Sequence, residues 1–328
     1  MKVIVPLAGK GTRLLPLTQR VPKPLVHVAG RPVMDYVMDM VAGLDVEELI
    51  VITGHLKEAV QRYIGDHYRI PARYVEQRTL DGTAGAINLA RPWVDGPVMI
   101  IFVDTLFDAD LSIIPSTTAA GIMWVKEVED YQRFGVVVTD AAGYMTRIVE
   151  KPKTPVSKLA NIGLYYVKDW RTLFEGIAHV LEQPPGQGGE FYLTDAFQYM
   201  IDHGRRILTA QVAGWYDCGK VDTLLDTNRH LLEHGRALAP PVAPGVVIRP
   251  PVRIEAGTTL RDVTIGPNVT IEGNGVIEGS TIENSVVGSG ARITRSRISG
   301  CVIGDDQVIA DQTLANSVLD AGQVQVAK

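Results

Sequence analysis

The chain has 328 residues, of which 46% are hydrophobic and 21% charged, a composition typical of a globular protein of about two domains. Its 37 acidic residues outnumber its 32 basic residues, and the net charge of −5 argues against a nucleic-acid-binding protein. The two cysteines form neither a disulfide framework nor a metal-binding spacing, and the N-terminus lacks the pattern of a signal peptide. We therefore expect a cytoplasmic protein without a membrane-spanning segment.

The first thirty residues predict a phosphate-binding turn. Residues 2–5 have the pattern of a short buried strand, and the sequence Leu-Ala-Gly-Lys-Gly-Thr-Arg-Leu follows at residues 7–14. In a Gly-x-Gly turn, here Gly9 and Gly11, backbone N–H groups can approach a phosphate because no Cβ stands in the way. Arg13 and Lys23 add positive charge, which suits a nucleoside triphosphate.

Two better-known phosphate loops are excluded by spacing. A Walker loop needs four residues between its first glycine and a Gly-Lys pair, and that spacing is absent. A dinucleotide fingerprint needs a third glycine that opens a helix, but position 14 is Leu and Pro16 follows soon after.

Strand and helix patterns alternate from residue 1 to residue 235. Buried strand patterns occur at residues 48–52, 98–103 and 145–149, and helical patterns occur at residues 55–66, 170–181, 194–203 and 220–234. This alternation predicts an α/β domain with a Rossmann-like, mostly parallel sheet. Gly235 is expected to close the last helix.

The residue pattern changes after a proline-rich segment. Residues 236–252 contain five prolines and are predicted to be a linker: Pro240, Pro241, Pro244, Pro250 and Pro251. From residue 253 to residue 328, aliphatic residues recur every five or six positions. Ile271, Val287, Ile303 and Leu319 lie sixteen residues apart. Three short strands per turn predict a triangular parallel β-helix of about four coils.

The sequence Gly-x-Gly-Thr-Arg-Leu-x-Pro-Leu-Thr at residues 9–18, followed by Pro-Lys-Pro-Leu at residues 22–25, resembles the signature of the sugar-1-phosphate nucleotidylyltransferases. The C-terminal pattern is similar to the left-handed β-helix that many of these enzymes contain. The resemblance implies transfer of a nucleoside monophosphate from a triphosphate to a sugar-1-phosphate, with release of pyrophosphate. The cations Arg13, Lys23 and Lys151 would then be the catalytic residues.

The resemblance also implies a nucleotide site made of two segments. Its residues would be Leu7, Ala8, Gly9, Gly11 and Thr12 of the first loop, with Gln77, Gly82 and Thr83 of a second. The amide of Gln77 suits the edge of a nucleobase, and Gly82 would let a base lie flat on the backbone. By composition alone, residues 81–87 are a loop and the start of a helix.

Two aspartates match the magnesium ligands of the family. Asp104 follows a strongly apolar strand, at the sheet edge where α/β proteins bind ligands, and Asp217 precedes the last helix of the domain. Two carboxylates, phosphate oxygens and waters make a natural Mg²⁺ shell. The family usually has a glycine where Val103 stands, and a helix cap is the alternative role for such an aspartate.

The sugar-phosphate site would contain Gly135, Glu150, Lys151 and Asn161. In the family the lysine binds the phosphate, the glutamate accepts hydrogen bonds from sugar hydroxyls, and the glycine lets the hexose approach the backbone. Without the resemblance, Glu150 and Lys151 have the pattern of an exposed charged turn before Pro152.

The favoured substrates are glucose-1-phosphate with dTTP or UTP. One alternative is a mannose-1-phosphate guanylyltransferase, and another is a non-catalytic protein that binds a nucleotide sugar and regulates a partner. A second, acyltransferase activity of the β-helix is disfavoured because no histidine follows His234. We expect a homo-oligomer formed through the β-helix, and neither nucleic acid nor a membrane as a partner.

Overall fold

The computed structural model describes residues 1–240 and 243–326, so Pro241 of the predicted linker lies outside the described residues. The chain divides into two compact units. Unit 1 contains Met1–Gly9 and Met38–Trp215, and unit 2 contains Lys10–Val37 and Tyr216–Lys328. The domain boundaries expected after residues 235 and 252 stay a prediction.

The first two thirds of the chain alternate between short strands and helices. The strands up to residue 217 are β1 (Lys2–Pro6), β2 (His27–Val28), β3 (Arg31–Pro32), β4 (Glu48–Thr53), β5 (Ala72–Glu76), β6 (Val98–Ile101), β7 (Thr105–Phe107), β8 (Gly121–Glu127), β9 (Gly135–Thr139), β10 (Met145–Glu150), β11 (Leu159–Val167), β12 (Ile207–Gln211) and β13 (Trp215–Asp217). The α-helices are α1 (Val33–Val41), α2 (Lys57–His67), α3 (Thr83–Asn88), α4 (Trp170–Glu182), α5 (Leu193–Asp202) and α6 (Val221–Leu231). Short 3₁₀ turns occur at Thr12–Leu14, Leu17–Gln19, Lys23–Leu25, Arg91–Trp93, Tyr131–Arg133 and Gln187–Gly189, and a π-helical turn at Leu232–Arg236.

Most predicted elements are present close to their expected bounds, and some differ from the prediction. The strand expected at residues 98–103 ends at Ile101, because the chain turns at Val103 and Asp104. The α-helical part of the last helix ends at Leu231, and Gly235 follows with a φ of 93°. Helix α1 was not predicted, because its run of apolar residues is too short for periodicity to distinguish a helix from a buried strand.

The central sheet of unit 1 has the strand order β10-β9-β11-β6-β1-β4-β5, with β8 pairing with β11 and β12. Strand β1 runs parallel to β4 and β6, and β4 runs parallel to β5. The middle residues of β1, β4 and β6 are fully buried, as is usual for parallel strands covered on both faces, whereas β5 at the sheet edge is only partly buried. Strand β11 instead pairs antiparallel with β6, β8 and β9, so the expected parallel sheet continues as an antiparallel one.

The C-terminal part of unit 2 is a three-sided parallel β-helix. Its strands are β14 (Val246–Ile248), β15 (Val252–Ile254), β16 (Thr259–Arg261), β17 (Val263–Ile265), β18 (Val269–Ile271), β19 (Val276–Glu278), β20 (Thr281–Glu283), β21 (Val286–Val287), β22 (Arg292–Thr294), β23 (Arg297–Ser299), β24 (Val302–Ile303), β25 (Val308–Ala310), β26 (Thr313–Ala315), β27 (Ser317–Asp320) and β28 (Gln323–Val326). The sheets contain five, six and four strands, and β28 ends the second sheet by pairing antiparallel with β27. The predicted architecture, an α/β domain followed by a parallel β-helix, is confirmed.

The sixteen-residue repeat sets the register of the coils. Ile271 pairs with Val287, Val287 with Ile303, and Ile303 with Leu319, so the predicted column of aliphatic residues lies inside the β-helix. Its first strand, β14, lies within the segment predicted as linker. This gives the first sheet five parallel strands, against about four coils expected from the repeat.

Among the described residues, no helix has the length and apolar character needed to cross a bilayer.

Replacing a buried aliphatic residue of the β-helix core should weaken the β-helix. We expect Ile293→Ala to lower the free energy of unfolding by about 2–5 kcal/mol, because Ile293 is 0% exposed in the core and its loss leaves a cavity. Val308→Ala is the control, since that side chain is 74% exposed and its truncation should change stability by less than about 0.5 kcal/mol. Urea unfolding of the full chain measures both, and equal losses would contradict the assigned core.

Candidate functional site

The first loop begins where β1 ends. The N–H of Leu7 donates to the carbonyl oxygen of Ile52 at 2.7 Å, which extends the pairing of β1 with β4 by one residue. Gly54 lies against Ala8: a Cβ on Gly54 would stand 2.7 Å from the oxygen of Ala8. Leu7, Ala8 and Gly9 therefore lie at the carboxyl end of parallel strands, where open α/β sheets bind their ligands.

The turn that follows requires glycine at position 11. Gly11 has a φ of 62°, and a Cβ there would lie 2.9 Å from Cγ2 of Thr18 and 3.2 Å from Cβ of Lys23. The hydroxyl of Thr18 donates to the carbonyl oxygen of Gly11 at 2.9 Å and so stabilises the turn. Thr12 and Arg13 then form an exposed 3₁₀ turn.

Three of the predicted site residues meet around Gly219. The position of a Cβ on Gly219 is 2.8 Å from Oδ1 of Asp217, 3.3 Å from Nζ of Lys23 and 3.5 Å from Nη2 of Arg13. The N–H of Gly219 donates to Oδ1 of Asp217 at 2.7 Å, and the hydroxyl of Thr223 donates to Oδ2 at 3.1 Å. Two cations and one carboxylate thus surround a space that only glycine leaves open.

The carboxylate of Asp217 suits a hard cation. Each of its oxygens accepts one hydrogen bond, and a carboxylate has about four lone-pair sites, so room for further ligation is left. Among residues 1–240 and 243–326, no three His, Cys, Asp or Glu side chains form a metal-binding cluster. A Mg²⁺ ion at Asp217 would therefore need oxygens from a substrate and from water, as Mg²⁺ sites with few carboxylates do.

Asp104 lies in unit 1, in the turn between β6 and β7. Its side chain is partly buried, and its charge contributes to raising the pKa of Tyr165, after the larger effect of burial. The hydroxyl of the next residue, Thr105, is buried and has no hydrogen-bond partner among the described residues. The position of Asp104 after the end of β6 agrees with the sheet edge expected from the sequence.

Gln77 is held between two segments of unit 1. Its Nε2 donates to Oδ1 of Asp81 at 2.9 Å and to the carbonyl oxygen of Gly82 at 3.2 Å, and its backbone N–H donates to Thr53 at 2.8 Å. The side chain is fixed in one orientation, because only 8% of the residue is exposed.

Gly82 and Thr83 contact the chain before α5. Gly82 has a φ of 111°, and a Cβ there would stand 2.6 Å from the backbone nitrogen of Phe191. The hydroxyl of Thr83 accepts a hydrogen bond from the N–H of Leu193 at 2.8 Å. The backbone of Phe191 thus gives a structural reason for glycine at position 82, beside the role predicted for a base.

The predicted sugar-phosphate residues of unit 1 lie together. A Cβ on Gly135 would lie 2.5 Å from Nδ2 of Asn161, 2.8 Å from Oε2 of Glu150 and 2.9 Å from Cγ2 of Thr194. The hydroxyl of Thr194 donates to Oε2 of Glu150 at 3.1 Å, and Nδ2 of Asn161 donates to the oxygen of Gly135 at 3.3 Å. Carboxylate, amide and hydroxyl groups therefore converge on an open glycine, which suits a polyhydroxylated ligand.

Lys151 is set beside this cluster by its backbone and by Tyr192. It has a φ of 42°, and its N–H donates to Phe134 at 3.0 Å. Its Nζ lies 3.8 Å from Oε1 of Glu150 and 4.8 Å from the centre of the Tyr192 ring. Burial raises the pKa of Glu150, and the charge of Lys151 and the Thr194 hydrogen bond oppose that shift without cancelling it.

Four residues of these clusters were missed by the sequence analysis: Gly219, Thr223, Tyr192 and Thr194. Thr194 is predicted only as the first residue of a helix. Tyr192 and Thr194 contact residues more than forty positions away, and no local pattern reveals such a contact. The roles of the predicted site residues stay predictions.

Comparisons with known proteins agree with this geometry. A family model described as nucleotidyl transferase matches residues 2–234. The chain is 32% identical to a protein named bifunctional protein GlmU from Methanococcus aeolicus, over 99% of this chain and 83% of the relative. It is 34% identical to UTP–glucose-1-phosphate uridylyltransferase AglF from Haloferax volcanii, over 66% of this chain and 89% of the relative. It is 30% identical to a glucose-1-phosphate thymidylyltransferase from Streptomyces antibioticus, over 93% of this chain and 92% of the relative.

A solved structure supports the fold. The structure of a UDP-glucose pyrophosphorylase complexed with UDP-glucose matches with a TM-score of 0.65 and 23% identity, covering 71% of this chain and 98% of that chain. The resemblance found in the sequence is confirmed by the family model and the relatives. The chain belongs to the nucleotidyl transferase family.

Proposed function

We propose that this enzyme transfers a nucleoside monophosphate from dTTP or UTP to glucose-1-phosphate, giving a nucleotide sugar and pyrophosphate. The observation that carries the proposal is the meeting of Arg13, Lys23 and Asp217 around Gly219, which suits a polyanion and its cation. The Gly135 cluster of unit 1 supports a sugar as the second substrate. Two relatives named for glucose-1-phosphate, one a uridylyl and one a thymidylyl enzyme, support the choice of substrates.

The reaction is a single in-line displacement on the α-phosphorus of the triphosphate. The attacking phosphate oxygen is already an anion at neutral pH, so no general base is needed. Catalysis then comes from positioning and from charge stabilisation. Arg13 and Lys23 bind the triphosphate and stabilise the departing pyrophosphate, while Lys151 holds the incoming phosphate.

We propose Mg²⁺ as the cofactor, held by Asp104 and Asp217. When bound, it would neutralise charge on the α-phosphate and orient it. Asp217 itself is kept in place by the N–H of Gly219 and the hydroxyl of Thr223.

The sugar is bound by Glu150 and Asn161 in this proposal, and the base by Gln77. The amide of Asn161 is oriented by the hydroxyl of Tyr165 and the N–H of Gly163, both of which donate to its Oδ1. The raised pKa of Glu150 reflects a partly desolvated carboxylate, and hydrogen bonds from sugar hydroxyls would compensate that desolvation.

A second candidate is mannose-1-phosphate guanylyl transfer, which the sequence Gly82-Thr83-Ala84-Gly85 favours. A non-catalytic regulator is disfavoured, because all five charged site residues are present: Arg13, Lys23, Asp104, Lys151 and Asp217.

We also propose a homo-oligomer formed through the β-helix. The edge strand β28 is exposed along its whole length, including the apolar side chains of Val324 and Val326.

The substrate proposal is tested by a grid of pyrophosphate-release assays with Mg²⁺. The grid pairs dTTP, UTP, GTP, CTP and ATP with glucose-, mannose-, galactose- and N-acetylglucosamine-1-phosphate. We expect the fastest turnover with glucose-1-phosphate and dTTP or UTP. Fastest turnover with GTP and mannose-1-phosphate would favour the second candidate. Binding of a nucleotide sugar without turnover of any pair would establish the regulator.

The catalytic cations are tested by removing them one at a time. We expect Arg13→Ala and Lys151→Ala each to lower kcat/KM by about 10²–10³, because a charge that stabilises the transition state is lost. The control is Lys153→Ala, since Lys153 is exposed two residues from Lys151 and outside the proposed site. A loss of tenfold or less in either cation variant, with folding intact, contradicts its assigned role.

The metal assignment is tested by the magnesium dependence of the reaction. Asp217→Asn removes a negative charge and a hard ligand oxygen, so we expect half-maximal activity to need at least about tenfold more Mg²⁺. Asp222→Asn is the control, because Asp222 is an exposed carboxylate five residues along the same segment. The same magnesium dependence in both variants would remove Asp217 from the metal site.

A further inference from the structure

One row of the β-helix has two glycines between two acidic residues. Because Ile271, Val287, Ile303 and Leu319 pair in register, the residues that follow them also stack from coil to coil: Glu272, Gly288, Gly304 and Asp320. The two glycines are required by the neighbouring coil. A Cβ on Gly288 would lie 2.6 Å from Oδ1 of Asp305, and one on Gly304 would overlap the carboxylate of Asp320.

The segment that contains Lys23 is paired with Glu272 and Asp320, the acidic residues on either side of the two glycines. Nη1 of Arg20 lies 3.4 Å from Oδ1 of Asp320, and Nδ1 of His27 lies 2.7 Å from Oε2 of Glu272. Lys23 stands between the two ion pairs in sequence. Three coil steps separate Glu272 from Asp320, a distance of about 14 Å at the usual strand spacing.

A third attachment lies beside the His27 pair. Asn228 of α6 is 0% exposed, and its Oδ1 accepts hydrogen bonds from the N–H of Ala29 at 3.0 Å and the hydroxyl of Thr270 at 2.7 Å. Its Nδ2 donates to the oxygen of Asn268 at 3.3 Å. Asn228 thereby joins the segment after His27 to the coil that contains Glu272.

The two carboxylates depend on their cations. The side chain of Asp320 is 3% exposed, and within the described residues neither its Oδ2 nor Oε1 of Glu272 has a hydrogen-bond partner. Oδ1 of Asp320 accepts a hydrogen bond from Gln307 at 3.3 Å, the backbone of Ala321 also donates to the carboxylate, and Asp305 adds a further negative charge nearby. A buried carboxylate that loses the cation paired with it is strongly destabilised, so each pair holds the segment against the coils.

His27 makes one of these attachments sensitive to pH. Burial alone would lower its pKa, but the hydrogen bond and charge of Glu272, with smaller contributions from Asp305 and Asp35, hold the pKa above 6.5. Arg31 lies 3.6 Å from Asp35 and weakens that last contribution. Because the pKa is raised on docking, the stabilisation is fully present below pH 6.5 and is lost as the pH rises through the raised value.

We propose that Glu272 and Asp320 are positioning residues for nucleotidyl transfer. They hold the segment from Arg20 to His27 on the β-helix and so keep Lys23 in place for the triphosphate. The β-helix then contributes to catalysis without contacting a substrate. This inference rests on the proposed role of Lys23.

The test compares Glu272→Gln, Asp320→Asn and the double variant in the full chain, by steady-state kinetics and thermal unfolding. We expect KM for the triphosphate to rise about threefold or more in each single variant and about tenfold in the double, with KM for the sugar-1-phosphate unchanged. Asp311→Asn is the matched control, because it breaks the exposed Arg295–Asp311 pair of the same β-helix, away from the loop. We expect this variant to keep the KM values of the unaltered protein.

A pH series separates positioning from a general loss of stability. The ratio of triphosphate KM between Glu272→Gln and the unaltered protein should be largest below pH 6.5 and decrease as His27 loses its proton. The same ratio for Asp320→Asn should stay level above pH 6.5, since Arg20 keeps its charge. A merely structural effect of Glu272 would leave the first ratio level as well.

Separate outcomes overturn the two proposals. If the unaltered protein turns over and all four variants share its triphosphate KM, the positioning inference is wrong and the proposed function stands. If no substrate pair turns over, the proposed function is wrong. In that case, the affinity of each variant for MgUTP and MgdTTP is measured by calorimetry instead of KM. Affinities equal to those of the unaltered protein, or no binding to any of them, would overturn the inference.

Discussion

Two phosphorylated substrates repel each other, and the protein must supply enough positive charge to hold them although its own net charge is −5. Two of its cations are concentrated at one point, where we propose that the triphosphate binds. Arg13 and Lys23 both reach within 3.5 Å of one point beside Gly219. Two cations that close would also repel, and the carboxylate of Asp217 at the same point reduces this repulsion before a substrate arrives. The glycine is essential to the arrangement, because any Cβ would occupy the shared space.

The cluster around Gly135 in unit 1, the proposed sugar site, is also built around a glycine, but its charged group is a carboxylate. Gly135 again leaves the space, but the groups around it are the carboxylate of Glu150 and the polar side chains of Asn161 and Thr194. Burial raises the pKa of Glu150 because the charged form loses contact with water. A ligand with several hydroxyl groups could restore the lost hydrogen bonds, whereas an apolar ligand would leave the carboxylate desolvated. Recognition in this cluster therefore favours a polyhydroxylated molecule.

The sequence predicts those parts of the molecule whose physics is local or periodic. The turn after β1 is recognisable because Gly11 needs a positive φ, and the β-helix because one aliphatic residue must enter the core at each coil step. Contacts between distant segments have no such signature. Asn228 is polar and lies on a helix, so the sequence indicates an exposed position, yet it is fully buried between Ala29 and Thr270.

The sixteen-residue repeat has a consequence beyond the stability of the β-helix. Each coil adds about 4.8 Å along the axis, so the separation of Glu272 and Asp320 changes only in steps of that size. The segment from Arg20 to His27 has a fixed length, and it spans three such steps with an ion pair at each end. Deleting one coil between the two acids would preserve the aliphatic column but bring the acids about 4.8 Å closer together. One of the two pairs would then be broken, or the segment would bend between them, so the number of coils is tied to the position of Lys23.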